Sequence, residues 1–420
     1  MNGYRCVLAS SGGGGSDYSY TATMGETPLK TSFANFFANN KSMVNNNIVI
    51  GDNVDNCCYM FYNSNLNSSV VIGNNVTNCS YMFNMCSSFN APVTLGSAVN
   101  NCVNMFSFCG IFNQHVTIPD SATNCAGMFV SSSLFNQPVV IGNNVTNCYQ
   151  MFFRCSRFNQ PVTLPDSVTN CKGIMTSAYS SCTLTLGNGV NCQELFKSDG
   201  DFNVPVAIPD GITTVREMFS GCTKFNAPVI IGNNVTNCLR MFSSAGIFNQ
   251  PVTISDSVED CSYMFYSATV FNQPVIFGNN MKNCYEMFAY AYAYNQPTVV
   301  PEGVTNCADM FYYCRNMKQD VTIPSTTTSC WRMYQSTYYS PNTYFNHTEY
   351  TALNVVDMFK GAWNNQQKNI YFNSVMNNVF NIATAQSMVG AAITWTDMQD
   401  GNGFYNETYN IYCYNNYVPE

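Results

Sequence analysis

The residues best placed to do chemistry in this chain are its cysteines, 21 in 420 residues. Twelve lie on one lattice: Cys57, Cys79, Cys102, Cys125, Cys148, Cys171, Cys192, Cys238, Cys261, Cys284, Cys307 and Cys330, with Val215 at the remaining lattice point. Each opens a Cys-x-x-Met-Phe motif or a close variant, and ten of the twelve intervals are 23 residues, the others 22 and 21. Such an array could pair as disulfides, hold a soft metal or exchange electrons. Zinc usually takes tightly spaced pairs, often with His, and the only histidines are His115 and His347. The residue seven places on is Cys at 86, 109, 155, 222 and 314, but Ser64, Ser132, Ala178, Asp199, Ala245, Ala268, Ala291 and Thr337 elsewhere. A ligand or bridge partner would not alternate with Ala. Neither metal nor cofactor is expected. Disulfides between ladder neighbours stay open on distance, since strands stacked at ~4.8 Å fall within the ~4.4–6.8 Å that a bridge permits. The odd count and the packing register favour reduced thiols acting as compact hydrophobes.

Catalysis finds no constellation. Two distant histidines give no nucleophile and base. Asp120, Asp166, Asp210 and Asp256 recur in every second repeat, ~10 Å apart at strand spacing, near the outer limit of ~6.5–9.5 Å for an inverting pair of glycosidase carboxylates. Their Pro-Asp turn setting makes them turn formers instead, so the chain is read as non-enzymatic. Charged residues are 10% and the net charge is −8 with 16 Lys plus Arg, which leaves no basic stripe for phosphate. No apolar run reaches the ~18–20 residues of a membrane span. Nucleic-acid binding and membrane insertion are both excluded.

A fixed period in the twenties means a solenoid whose coils bury their cores only against neighbours. In the coil at Cys79, the residues Cys79, Met82, Phe83 and Cys86 lie at i, i+3, i+4 and i+7, the stripe of a short amphipathic helix. The preceding Asn (Asn78, Asn101, Asn124, Asn147, Asn170, Asn237) reads as its cap. Phe-Asn-Gln-Pro then leads into Val-x-Ile, a short strand with its ends inward and its middle outward. The turns alternate between Pro-Asp-Ser and Gly-Asn-Asn forms, Pro presetting φ and Gly or Asn tolerating φ > 0. The expected fold is an α/β solenoid of about 13 or more 23-residue coils, with short parallel strands and short helices.

The pattern F-N-Q-P-V-T-I-P-D-S-V-T-N-C-x-x-M-F-x-x-C resembles the 23-residue BspA-like leucine-rich repeat, and its Met-Phe and Phe-Asn-Gln elements are similar to repeats of mycoplasma surface proteins. The resemblance covers roughly residues 45–335 and implies a leucine-rich-repeat-like horseshoe in a surface binding protein. The N-terminus carries only a stub of apolar residues, too short for a signal-peptide core. Low charge, richness in Asn, Ser, Thr and Tyr, and a Gly-rich tether look like a phage virion accessory, a fibre or decoration protein. The alternative is a bacterial or protist surface adhesin. The expected location is a virion or extracellular surface, after assembly from the cytoplasm.

Binding is expected on the outward strand residues Thr94, Thr117, Val140, Thr163, Ala207, Ile230, Thr253, Ile276 and Val299, since solenoids commonly bind on such faces. A second candidate is the tyrosine cluster, eleven of 27 tyrosines between Tyr285 and Tyr350. Within it Tyr290, Tyr292, Tyr312 and Tyr313 are the candidate contacts, a composition suited to recognition and to stacking on sugars. The expected partner is a host-cell surface glycan or protein, with other virion proteins at the N-terminal segment and self-association as further possibilities. The domain reading is an anchor and linker at 1–16, a capping coil at 17–45, the solenoid at 46–335, and degenerate repeats with a cap or attachment segment at 336–420, where Asp400-Gly401-Asn402-Gly403 suggests a hairpin.

Overall fold

The computed structural model describes residues 20–21, 31–42, 47–179, 181–188, 191–339, 341–346, 353–361, 368–373, 396–397, 403–406 and 411–417. The anchor and linker expected at 1–16 lie outside these residues, as do much of 17–45 and of 336–420, including His347. The chain divides into two compact units, Met1–Val204 and Pro205–Glu420. Each is a β-solenoid of parallel coils.

A single strand step per coil builds the first ladder. In the first unit Val70–Val71 pairs in parallel with Val93–Thr94, Val116–Thr117 with Val139–Val140, and Val162–Thr163 with Leu184–Thr185. In the second, Val206–Ala207 pairs with Val229–Ile230 and Val252–Thr253 with Val275–Ile276. Thr298–Val299 then continues through Val321–Ile323, Thr343–Phe345 and Lys368–Asn373. Ile411–Tyr417 joins that sheet in parallel, and Gly403–Asn406 and Thr396–Asp397 add to it antiparallel. A second ladder of one-residue parallel bridges runs through Asn78, Asn101, Asn124, Asn147 and Asn170, and through Thr214, Asn237, Asp260, Asn283 and Asn306.

The helices expected on the Met-Phe segments do not form: among the described residues there is no helix. Each segment is instead a run of tight turns that alternates its donors. Cys79, Tyr81, Phe83 and Met85 donate their N–H groups to Asn101, Val103, Met105 and Ser107 of the next coil at 2.8–2.9 Å, while Met82, Asn84 and Cys86 donate three residues back. The geometry requires positive φ twice per coil, at Tyr81 (57°) and Met85 (63°), and at Tyr290 (60°) and Tyr313 (54°) further on. The physical reason is spacing. A helix is ~10 Å across, whereas the Phe rings on this side stack at 5.4–5.7 Å between coils. Only an extended, turn-rich backbone fits beside its neighbour at that pitch.

The core consists of columns. Phe61, Phe83, Phe106, Phe129 and Phe152 form one aromatic stack, and Phe89, Phe112, Phe135 and Phe158 a second at 5.7–5.9 Å. The second unit repeats both, with Phe219 to Tyr334 in one and Phe225, Phe248, Phe271 and Tyr294 in the other. All these rings are buried, as are the ladder cysteines. Burying each Phe removes apolar area worth ~1.5–3 kcal/mol.

The Gly-Asn-Asn turns need glycine for room and not for φ. A Cβ at Gly142 would sit 2.5 Å from the Pro119 carbonyl oxygen, and one at Gly232 would sit 2.7 Å from that of Pro209. Both lie well inside contact distance.

Candidate binding surface

The lattice chemistry resolves first. All 19 described cysteines are free thiols, and all but Cys58 are buried. Burial pushes the Cys57, Cys148 and Cys307 thiols up to about 12, so none offers a thiolate near neutral pH. Cys171 and Cys192 stand 3.1 Å apart as a thiol–thiol hydrogen bond. The second row is bonded too: Cys86, Cys109 and Cys155 donate to the carbonyls of Phe61, Phe83 and Phe129 in earlier coils at 2.8–2.9 Å. Ser132 makes the same bond to Phe106 at 2.6 Å. Among the described residues no group of three His, Cys, Asp or Glu side chains could hold a metal.

The polar ladders are equally committed to the fold. Asn78 Oδ1 accepts the Ser80 N–H at 3.0 Å, so the expected cap opens a turn run in place of a helix. In the Phe-Asn-Gln motif, Asn113 Oδ1 accepts the Asn136 N–H, and Asn136 Oδ1 accepts the Asn159 N–H, both at 2.9 Å. The Asp row does not close on its own turn. Asp120, Asp166, Asp210 and Asp256 each accept the turn N–H of the next coil, from Asn143, Asn188, Asn233 and Asn279 at 2.7–3.0 Å. Their carboxylates cap neighbouring coils. Asn144 and Asn234, in Asn-Val-Thr sequons, spend their amide N–H on the carbonyls of Asp120 and Asp210.

What remains free is outward. In the first unit the middle strand residues Thr94, Thr117, Val140 and Thr163 are exposed. In the second, Ala207, Ile230, Thr253, Ile276 and Val299 are exposed, Ile230, Ile276 and Val299 by 63–69%. Two residues before most of them an exposed Pro forms a parallel column: Pro92, Pro138 and Pro161 in one unit, Pro251, Pro274 and Pro297 in the other.

The candidate contacts Tyr290, Tyr292, Tyr312 and Tyr313 occupy the turn side of the second unit. They are half-buried against one another. Tyr290 packs edge-on against Tyr266 and Tyr312 at 5.4 Å and stacks on Tyr313 at 5.2 Å. Tyr312 and Tyr313 are 4.9 Å apart, and Tyr263 meets Tyr285 at 5.2 Å. Desolvation and the neighbouring Tyr312 hold the Tyr290 phenol up at about 12, so that ring stays uncharged near neutral pH. Sequence reasoning missed the cations woven into it. Arg240 lies over Tyr263 at 4.5 Å, Arg315 between Tyr292 (4.5 Å) and Tyr338 (5.5 Å), and Lys318 over Tyr339 at 4.0 Å. Arg332 covers Trp331 at 3.7 Å and clamps buried Asp309, with Nη2 donating to Oδ2 and Nε beside Oδ1, both at 2.9 Å. The period carried the signal: Tyr292, Arg315 and Tyr338 are 23 residues apart in turn.

No curated protein matches. Three solved structures are similar to this chain at low identity. A leucine-rich cell surface protein from Faecalibacterium prausnitzii has 17% identity, covers 86% of this chain and 85% of its own, and has a TM-score of 0.39. The pneumococcal vaccine antigen PcpA has 13% identity, with 73% and 75% coverage and a TM-score of 0.41. A leucine-rich repeat protein from Bacteroides ovatus has 12%, 68% and 85%, and 0.36. A family model matches residues 29–118, 96–184, 190–300, 234–325 and 257–350, most of the repeat region and well over half of the chain. By that match, on a lattice of BspA-like coils, the chain belongs to the family described as Mycoplasma protein of unknown function, DUF285.

Proposed function

We propose that this chain is a non-enzymatic binding solenoid, displayed on a surface, that recognises a host-cell glycan or protein through the tyrosine face of its second unit. One observation carries the reading. The positive-φ position held by Tyr290 and Tyr313 is Ser131, Ser177, Ser198, Ser244 and Ser267 in other coils, so the fold does not call for an aromatic ring there. Large, amphipathic rings placed where Ser suffices are spent on the outside. The exposed strand residues Ile230, Ile276 and Val299 offer a second, apolar contact row on the same unit.

Low charge and abundant Asn, Ser, Thr and Tyr support display on a virion as a fibre or decoration protein. Membership of a family named for Mycoplasma supports the other setting, an adhesin on a cell surface. Neighbouring genes for capsid, portal or tail proteins, against genes for surface export, separate the two.

The test uses the full chain, fluorescently labelled, on a panel of intact animal and bacterial cells. Replacing Tyr290 and Tyr313 together by Ser, the residue other coils use, is expected to lower cell binding at least tenfold with the fold intact by circular dichroism. Unchanged binding by that variant sinks the reading. So does release of reducing sugars from surface polysaccharide, lost on Asp210→Asn, which would make the chain an enzyme.

A further inference from the structure

Arg315 is the residue on this face with chemistry left over. Tyr292 and Tyr338 occupy the same position in the coils before and after it, and its Cζ lies over their rings at 4.5 and 5.5 Å from the centroids. No carboxylate pairs with it or with Lys318 among the described residues. Arg332, one coil on, is by contrast consumed by Asp309. A guanidinium placed over two rings keeps its N–H donors, a fixed fork that matches the two oxygens of a planar or tetrahedral anion. Lys318 adds a second cation beside Tyr339 at 4.0 Å. These charges stand in a chain of net charge −8. Half-exposed rings of Tyr292, Tyr338 and Tyr339 flank both, and aromatic faces of this kind pack against the C–H face of a sugar.

Resting on the binding function proposed above, we infer that Tyr292, Arg315, Tyr338, Lys318 and Tyr339 form a subsite for an acidic sugar. The guanidinium fork and the ammonium take the sugar's carboxylate or sulfate, and the tyrosine rings take its ring. The ligand of the tyrosine face is then an acidic glycan and not a protein.

The experiment measures binding of the full chain to hyaluronan, which carries carboxylates alone, and to dextran sulfate, which carries sulfates alone, by biolayer interferometry. Carboxyl-reduced hyaluronan and plain dextran are the uncharged partners. At least one acidic polymer is expected to bind ten times more tightly than its uncharged partner, and which one does so tells carboxylate from sulfate. Arg315→Gln is expected to weaken that binding at least tenfold, about 1.4 kcal/mol, with Tyr292→Ala weakening it as well. Arg157→Gln, on the other unit, controls for net charge and is expected to change it less than twofold. Equal binding of charged and uncharged polymers, binding to none of the four, or equal losses in the two Arg variants each overturn the inference. If cell binding persists and still depends on Tyr290 and Tyr313 while these tests fail, or proves sensitive to protease alone, the acidic-sugar subsite falls and the binding function stands. Absence of any cell binding fells the function itself.

Discussion

Replacing Ser131, Ser177 and Ser244 by glycine should stabilise this protein, although glycine weakens almost any regular structure. Each serine holds a positive φ, 57°, 54° and 59°, in the region where a side chain with a Cβ pays ~1–2 kcal/mol. None of the three hydroxyls makes a hydrogen bond among the described residues, so the exchange removes little contact. Glycine relieves that strain and loses ~0.5–1 kcal/mol to the freer unfolded chain. The net is about +0.5 kcal/mol per site, on the order of 1.5 kcal/mol for three well-separated sites that add. Valine at the same positions adds β-branching to a left-handed backbone and should cost ~2 kcal/mol each. The assay is urea unfolding followed by far-ultraviolet circular dichroism, comparing midpoints at constant slope. On a helix the order reverses, because glycine there costs more than serine or valine. A triple-glycine variant less stable than its parent, with the valine variants near neutral, would refute the turn-run account.

The remaining predictions concern thiols, ladders and pH. Iodoacetamide at neutral pH should label at most Cys58 among the 19 described cysteines of the folded chain, and all of them after denaturation, as read by peptide mass spectrometry. Asn136→Ala should cost ~1–3 kcal/mol in urea stability, because it leaves the Asn159 N–H without its acceptor and removes the Gln160 contact at 3.2 Å. Burial holds the Asp309 carboxyl up at about 6, against the bond and charge of Arg332 and with Glu286 pushing the same way. The folded state thus keeps a proton that the unfolded chain releases from about pH 4 upward. This contribution to stability is full below that pH and is lost as pH rises through 6, about 3 kcal/mol in all. The stability difference between the native chain and Asp309→Asn, measured in urea from pH 4 to 7, should fall over that window and then level off; a rising difference would contradict it.

Much of the fold was legible because a solenoid writes its register into the period. The strand at Val116–Thr117, the buried Cys and Phe columns and the outward Thr94 follow from one coil read correctly. The helix did not follow, because apolar residues at i, i+3, i+4 and i+7 fit a run of turns as well as they fit a helix. The discriminating signal was present elsewhere. Among the described residues none with positive φ is Val, Ile or Thr, although Thr is common in the chain and would be tolerated on a helix. The glycine of Gly142-Asn143-Asn144 was read for its φ, but its role is clearance from Pro119, a contact 23 residues away that appears only once coils are stacked. Arg315 was missed for the same reason. Its partners Tyr292 and Tyr338 become neighbours only when the sequence is written one coil per line.

The alternation of donors in the turn runs has an electrical consequence. In each coil the peptide units joining Asn78 to Cys79, Ser80 to Tyr81, Met82 to Phe83 and Asn84 to Met85 point their carbonyls at the coil before and their N–H groups at the coil after. Val215, Glu217, Phe219 and Gly221 direct their N–H groups the same way in the second unit. At ~3.5 D apiece, four aligned peptides give each coil an axial moment of roughly 14 D that adds from coil to coil within a unit. A turn run so stacked is a polar rod, with its carbonyl end towards the N-terminus and its N–H end towards the C-terminus, opposite in sense to a helix. Within a unit, an anion is therefore drawn to the last coil of the run and repelled by the first.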